Sequence, residues 1–188
     1  MVSTLAVDAL DKDLVRTILE GALAYPWKIQ ELGLLSLRLD ENREHALHVW
    51  APQRFVGTPP IHDHPYDFTS QVIVGELTNT RYGEDPSGAE YLRERYALAD
   101  ESVRRADHVR LEGETDVIVE GDEYTQLAGV LHDSWQLPGT VTVLRRRFQP
   151  VDELTVCRPE GSPWITGAAR LASSAEIAAI TAVALRLF

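Results

Sequence analysis

Apolar residues at Leu10, Leu14, Val15, Ile18, Leu19, Ala22 and Leu23 recur at the spacing of one helical face, which predicts an amphipathic helix over about 8–24. Pro26 ends it. Near the other end, Ser173 followed by Glu176 is a capping-box signature ahead of an alanine- and leucine-rich run to Leu187, predicting a second helix over about 173–188. Between the two the period falls to two. Leu35, Leu37 and Leu39 alternate with Ser36 and Arg38, then Asp40, Glu41 and Asn42 supply a turn before a strand from Ala46 to Trp50. Further strands are predicted at 70–82, 116–119, 123–127 and 140–148, punctuated by Gly57, Pro59, Pro60, Gly75, Gly121, Gly129 and Pro138. Many short strands with turn signals predict a mainly β protein, a sandwich or barrel, with a helix at each end. The stretch from Gly83 to Asp107 is charged and weakly periodic, and predicts a long excursion with a short edge strand at Tyr91–Leu98.

Length changes this picture only by bounding it. A chain of 188 residues supports one well-filled domain over 1–188, with the barrel at about 32–150, and is too short to expect two. Charge adds an exclusion. With 29 acidic against 18 basic residues the formal net charge is -11, a surface that repels nucleic acid and anionic lipid. Cys157 is the single cysteine, so no internal disulfide forms, as suits a reducing compartment. The N-terminal apolar stretch is broken by Asp8, Asp11 and Asp13, unlike a secretion signal, and no apolar run spans a bilayer. The expectation is a soluble, cytoplasmic protein.

Candidate chemistry centres on His62 and His64, which flank Asp63. On a strand, residues two apart project to one face, so both imidazoles can reach one point inside a barrel. Two neutral imidazoles make half a site for Fe, Zn, Ni, Cu or Mn.

The surrounding residues resemble the cupin family. Its first motif runs G, five residues, HxH, three or four residues, E, six residues, G. The sequence offers Gly57, His62, His64 and Gly75, with four residues between Gly57 and His62. The second motif is G, five residues, PxG, two residues, H, three residues, N. It is matched in spacing by Gly121, then Leu127, Ala128 and Gly129, then His132 and Gln136, with Leu127 in place of Pro and Gln136 in place of Asn. The resemblance implies a single double-stranded β-helix, or jelly-roll barrel, with flanking helices and one divalent metal on His62, His64 and His132. Phe68 stands where the first motif carries its glutamate, so the implied site has three histidines and no carboxylate, with Asp67 and Gln71 as fallback ligands. Such a site resembles the thiol dioxygenases of the cysteine dioxygenase group, which implies Fe(II) with dioxygen. Those enzymes carry a Ser-x-His-x-Tyr triad on a later strand, where this sequence has Leu144, Arg145, Arg146 and Arg147. The departure leaves iron oxygenase chemistry on a substrate other than cysteine.

On the strand at 140–148, Arg145 and Arg147 share one face and Arg146 takes the other. If the pair faces inward it clamps a substrate carboxylate, and Arg38 is a similar candidate. The alternative for each is surface ion pairing with the abundant acids. Tyr66, Phe68, Gln71, Trp50 and Trp135 are candidate pocket walls, or equally plain barrel packing. His45, His48 and His108 match no motif position. The leading expectation is an Fe(II) oxygenase acting on a small-molecule substrate with dioxygen. The alternatives are a non-redox isomerase, lyase or hydrolase using Zn, Ni or Mn, with Glu123 or Tyr124 as acid or base, and a non-enzymatic small-molecule binding barrel. The resemblance also implies a homodimer paired through strand edges.

Overall fold

A computed structural model describes residues 10–30, 33–51, 60–99, 102–162 and 169–188. The fold opens with helix α1 (Lys12–Glu20), whose N-cap Asp11 accepts from the Leu14 amide at 2.8 Å. A short 3-10 turn at Ala22–Ala24 follows. Twelve strands come next: β1 (Lys28–Gln30), β2 (Leu34–Arg38), β3 (His45–Trp50), β4 (Ile61–His62), β5 (Tyr66–Val74), β6 (Glu76–Ala97), β7 (Val103–Val119), β8 (Glu123–Gln126), β9 (His132–Gln136), β10 (Val141–Phe148), β11 (Glu153–Arg158) and β12 (Ala169–Leu171). Helix α2 (Ser174–Ala184) comes last, with the capping box expected at Ser173 and Glu176. The expected helix start at Asp8 and the motif glycine Gly57 lie outside the described residues.

The strands form two antiparallel sheets. One has the order β12-β1-β2-β3-β10-β5-β8 and the other β11-β4-β9-β6-β7, with β11 also pairing β6. The result is a mainly β fold of two antiparallel sheets with flanking helices, consistent with a cupin-like jelly-roll barrel. Gly75 is the corner between the sheets: β5 lies in the first and β6 in the second. Its φ of +90° suits glycine alone, and an added Cβ would come within 2.5 Å of Thr140 Oγ1. The strand predicted at 70–82 is therefore two strands meeting at that corner.

Both helices cover the outer face of the larger sheet. Val15, Ile18 and Leu19 of α1 and Ile177 and Ile180 of α2 join Leu35, Leu37, Leu47, Val49, Val141 and Val143 in one buried cluster. Each such side chain, fully buried, contributes about 1.5–3 kcal/mol. Because the sheet is covered on one face by helices and lines the barrel interior with the other, the central strands are apolar on both faces. In β10, Val141, Thr142, Val143 and Leu144 are all buried. Odd positions lie under the helices and even ones line the interior.

The expected excursion at 83–107 is instead largely paired strand, with register shifts between Glu84 and Ala89 and between Arg95 and Tyr96. β6 and β7 pair from Glu76↔Val119 to Tyr96↔Val103 as one long ribbon, and β11 docks on its distal half. Charged side chains hold it: Arg93 donates to both carboxylate oxygens of Asp107 and to Glu84. Charged residues crowd the few apolar positions of its inner side, Tyr91, Val109 and Leu111, which leaves a two-residue rhythm too short for pattern reading.

Candidate metal centre

β4 is only two residues long and is clamped between β11 and β9. Its register puts His62 directly opposite His132. His64 follows just beyond the strand, and the Asp63 between them turns outward, where Oδ1 accepts from the Thr155 amide at 2.8 Å. Asp133, next to His132, likewise points away and accepts from the Tyr82 hydroxyl at 3.0 Å. Period two thus sorts the segment into inward imidazoles and outward carboxylates.

The three rings converge, with centroids 4.7 Å (His62–His64), 4.9 Å (His62–His132) and 5.1 Å (His64–His132) apart. One ligand atom from each lies within 4.8 Å of the others, so the cluster could hold a metal ion. The tautomers suit ligation. His62 Nδ1 lies 3.1 Å from the Pro60 carbonyl and His132 Nδ1 lies 2.7 Å from Asn79 Oδ1, so both Nδ1 atoms donate and both Nε2 atoms keep their lone pairs. His132 Nε2 is buried with no hydrogen-bond partner. The Asn79 orientation is fixed from both ends: Oδ1 also accepts from Ser134 Oγ at 3.0 Å, while Nδ2 faces Gln126 Oε1 at 3.5 Å.

All three imidazoles are held neutral. Burial pulls His132 down to about 3, with His62 adding to it, and burial also lowers His62. His64 falls well below the ordinary value, by burial first and then by the neighbouring His62 and His132. Neutral imidazole is the form that binds a metal.

The centre faces a cavity of about 130 Å³ between the sheets. Tyr66 and Phe68 line it, Tyr66 stacked on His64 at 4.9 Å and Phe68 at 5.4 Å from that ring. Gln71 and Trp135 lie on the opposite faces of β5 and β9 from the lining residues Ser70, Ser134 and Gln136. Arg38 is exposed at the end of β2. Arg145 and Arg147 are also exposed, and Arg145 pairs with Glu123 at 2.6 Å on the surface. Arg146 is the arginine that lines the cavity. The inward-facing pair expected from sequence is thus corrected: the alternation holds, but the interior belongs to the even positions Thr142, Leu144 and Arg146. Asp67 and Gln71 are not ligands here. Asp67 accepts from the Ala128 amide at 2.9 Å and from Gln149, tying two loops together.

His48, Asn79 and Arg146 carry parts of the site that pattern reading misses. His48 lines the cavity, its pKa pulled down to about 3 by burial and by Arg146. Its alternation with Trp50 on β3 is the available signal, since both share the inner face.

No family model and no curated protein matches this sequence. Among solved structures it is similar to the crystal structure of Drosophila melanogaster CENP-C bound to CAL1, at 12% identity and a TM-score of 0.41, covering 72% of this protein and 95% of that one. The mainly β architecture and the three-histidine cluster are compatible with a cupin; the thiol dioxygenase resemblance gains no family match. The TM-score is too low to transfer an interaction. The expectation of a small-molecule substrate as partner finds no support in this comparison, whose neighbour is a complex of two proteins, and it is not carried further. No described helix is long and apolar enough to cross a membrane.

Proposed function

We propose that this protein is a metal-dependent cupin-type enzyme, a non-haem Fe(II) oxygenase with His62, His64 and His132 as its protein ligands. The observation that carries the reading is His132 Nε2, a buried lone pair without a partner, on a ring already oriented by Asn79. Leaving such an atom unsatisfied costs about 1–3 kcal/mol, which coordination relieves. An Fe(II) ion held there supplies redox chemistry with dioxygen at positions the protein leaves open.

The protein's own residues prepare that site. Burial keeps the imidazoles unprotonated near neutral pH. Phe68 replaces a carboxylate ligand with an apolar wall, so the donor set is all nitrogen and neutral. Phe68, Leu144 and Tyr66 exclude water beside the histidines. Tyr124 also faces the cavity, and burial pushes its hydroxyl up to about 12, so it serves as a hydrogen-bond donor rather than a base. The cavity is smaller than the roughly 300–1,000 Å³ of pockets that enclose drug-sized ligands, and it suits a group of side-chain size.

The carboxylate-free donor set favours one second reading, a Lewis-acid centre using Zn, Ni or Mn, because three histidines also make a catalytic zinc site. Purification without chelator, followed by plasma mass spectrometry of the wild type and of His62→Ala and His132→Ala, separates the two. Near-stoichiometric iron lost in both variants, with activity that needs oxygen, supports the oxygenase. Stoichiometric zinc, nickel or manganese moves the assignment to Lewis-acid chemistry. Failure to bind any metal after anaerobic reconstitution refutes both and leaves a binding barrel.

A further inference from the structure

The cavity holds more unsatisfied donors than the metal reading uses. Arg146 lines it, and no lining residue is acidic. Among the described residues Arg146 makes no ion pair, although the sequence has 29 acidic residues and its neighbour Arg145 pairs with Glu123 outside. Its Nε is buried without a partner, one Nη reaches only His48 Nε2 at 3.4 Å, and its face lies over the Tyr66 ring at 5.1 Å. Trp50 Nε1 and Gln136 Nε2 line the same cavity, likewise buried and unpartnered. Apart from His132 Nε2, the orphan atoms here are all N–H donors, so the missing group is an acceptor. A guanidinium fork with an empty edge matches a planar carboxylate, which accepts two parallel hydrogen bonds and supplies the missing charge. The cavity admits about one side chain.

We propose that the cavity is a carboxylate-binding subsite that seats an Asp or Glu side chain, or the terminal carboxylate, of a polypeptide: Arg146 takes the carboxylate, and Trp50 and Gln136 donate to the carbonyl groups that flank it. The subsite uses none of the three histidines, so it goes beyond the metal reading and stands or falls separately from it.

The test follows the Trp50 indole N–H by NMR in the full-length protein, assigned with Trp50→Phe. The probes are N-acetyl-glutamate N-methylamide against its glutamine counterpart, and N-acetyl-glycyl-alanine as acid and as amide. At least one acid is expected to outbind its neutral twin about tenfold or more, the worth of a charge-assisted hydrogen bond. Arg146→Gln should remove that preference, Arg146→Lys should retain part of it, and Arg147→Gln on the outer face should leave it within twofold. A thermal melt checks that Arg146→Gln folds; if it does not, a partial loss in Arg146→Lys still decides. Equal binding of acids and neutral twins overturns the proposal, as does an equal loss in Arg147→Gln. Free acetate binding as tightly as the peptide acids overturns the polypeptide source. Affinity unchanged by EDTA is expected. Binding that requires metal and survives Arg146→Gln places the carboxylate on the ion and overturns the subsite.

Discussion

Replacing Asn79 by leucine tests the support beneath the histidines rather than the histidines themselves. Asn79 is 2% exposed, and its Oδ1 accepts from His132 Nδ1 at 2.7 Å and from Ser134 Oγ at 3.0 Å. Leucine removes the one acceptor that serves both donors. The Ser134 hydroxyl can rotate elsewhere, but His132 Nδ1–H cannot turn without taking Nε2 out of the cluster. One stranded buried donor costs about 1–3 kcal/mol. The Asn79 Nδ2 contact to Gln126, at 3.5 Å, adds little. For a protein of this length that corresponds to a fall in Tm of roughly 2–10 °C. Metal affinity should fall further, by about 10–100-fold, because the ring loses both its tautomer and its aim. Thermal melts of chelator-treated protein and competitive metal titration read the two effects separately. Asn79→Asp keeps an acceptor at Nδ1 and should hold metal affinity near or above wild type. If Asn79→Leu binds metal within twofold of wild type, the claim that Asn79 orients His132 is wrong.

His48 predicts an acid-sensitive fold. Its pKa lies near 3 in the folded state and near 6.5 unfolded, so the unfolded state binds the extra proton between those values and stability falls as pH drops through that window. By pH 5.5 this amounts to about 1 kcal/mol, visible as a lower denaturant midpoint than at pH 7.5; a folded His48→Gln variant should lose that share of the drop and keep the share that His62, His64 and His132 add in the same direction. Gly75→Ala forces a side chain onto Thr140 at a φ of +90° and should cost about 2 kcal/mol or more in urea melts; a change under about 0.5 kcal/mol would contradict the corner assignment. Phe68→Glu buries a carboxylate beside His64 and should destabilise the metal-free protein, while giving a larger rise in Tm on metal addition than wild type gains. An equal rise in both would show that position 68 does not face the ion.

Those positions also mark what is legible in the residues alone. The capping box at Ser173, the strands at Leu35–Leu39 and Ala46–Trp50, and the shared face of His62 and His64 follow from local periods, while His132 joins them only through the resemblance to the second cupin motif; the fold places these to within a residue or so. What escapes has a common cause. Where both faces of a strand are buried, as in β10, alternation no longer tells inside from outside, so it cannot choose between Arg145 with Arg147 and Arg146 alone. Where the apolar face is only a few residues set among charges, as Tyr91, Val109 and Leu111 are along the distal half of β6 and β7, the rhythm is too short to betray the strand. β4 and β12 are too short to carry a pattern. Asn79 lies within the predicted strand at 70–82, in the part that belongs to β6, but its role depends on a partner 53 residues away.

The pairing of His62 with His132 across one rung has a further consequence. Their separation is set by backbone hydrogen bonding that needs no ion, unlike a zinc finger, whose fold waits for its metal. An ion held there would be a passenger on a finished barrel, able to leave and be exchanged without the fold unravelling. The same arrangement is unforgiving of length. One residue inserted in β4 would turn an imidazole to the outer face and bring an aspartate inward, replacing the all-nitrogen donor set with a mixed one in which a carboxylate joins His132, while leaving the sheets intact.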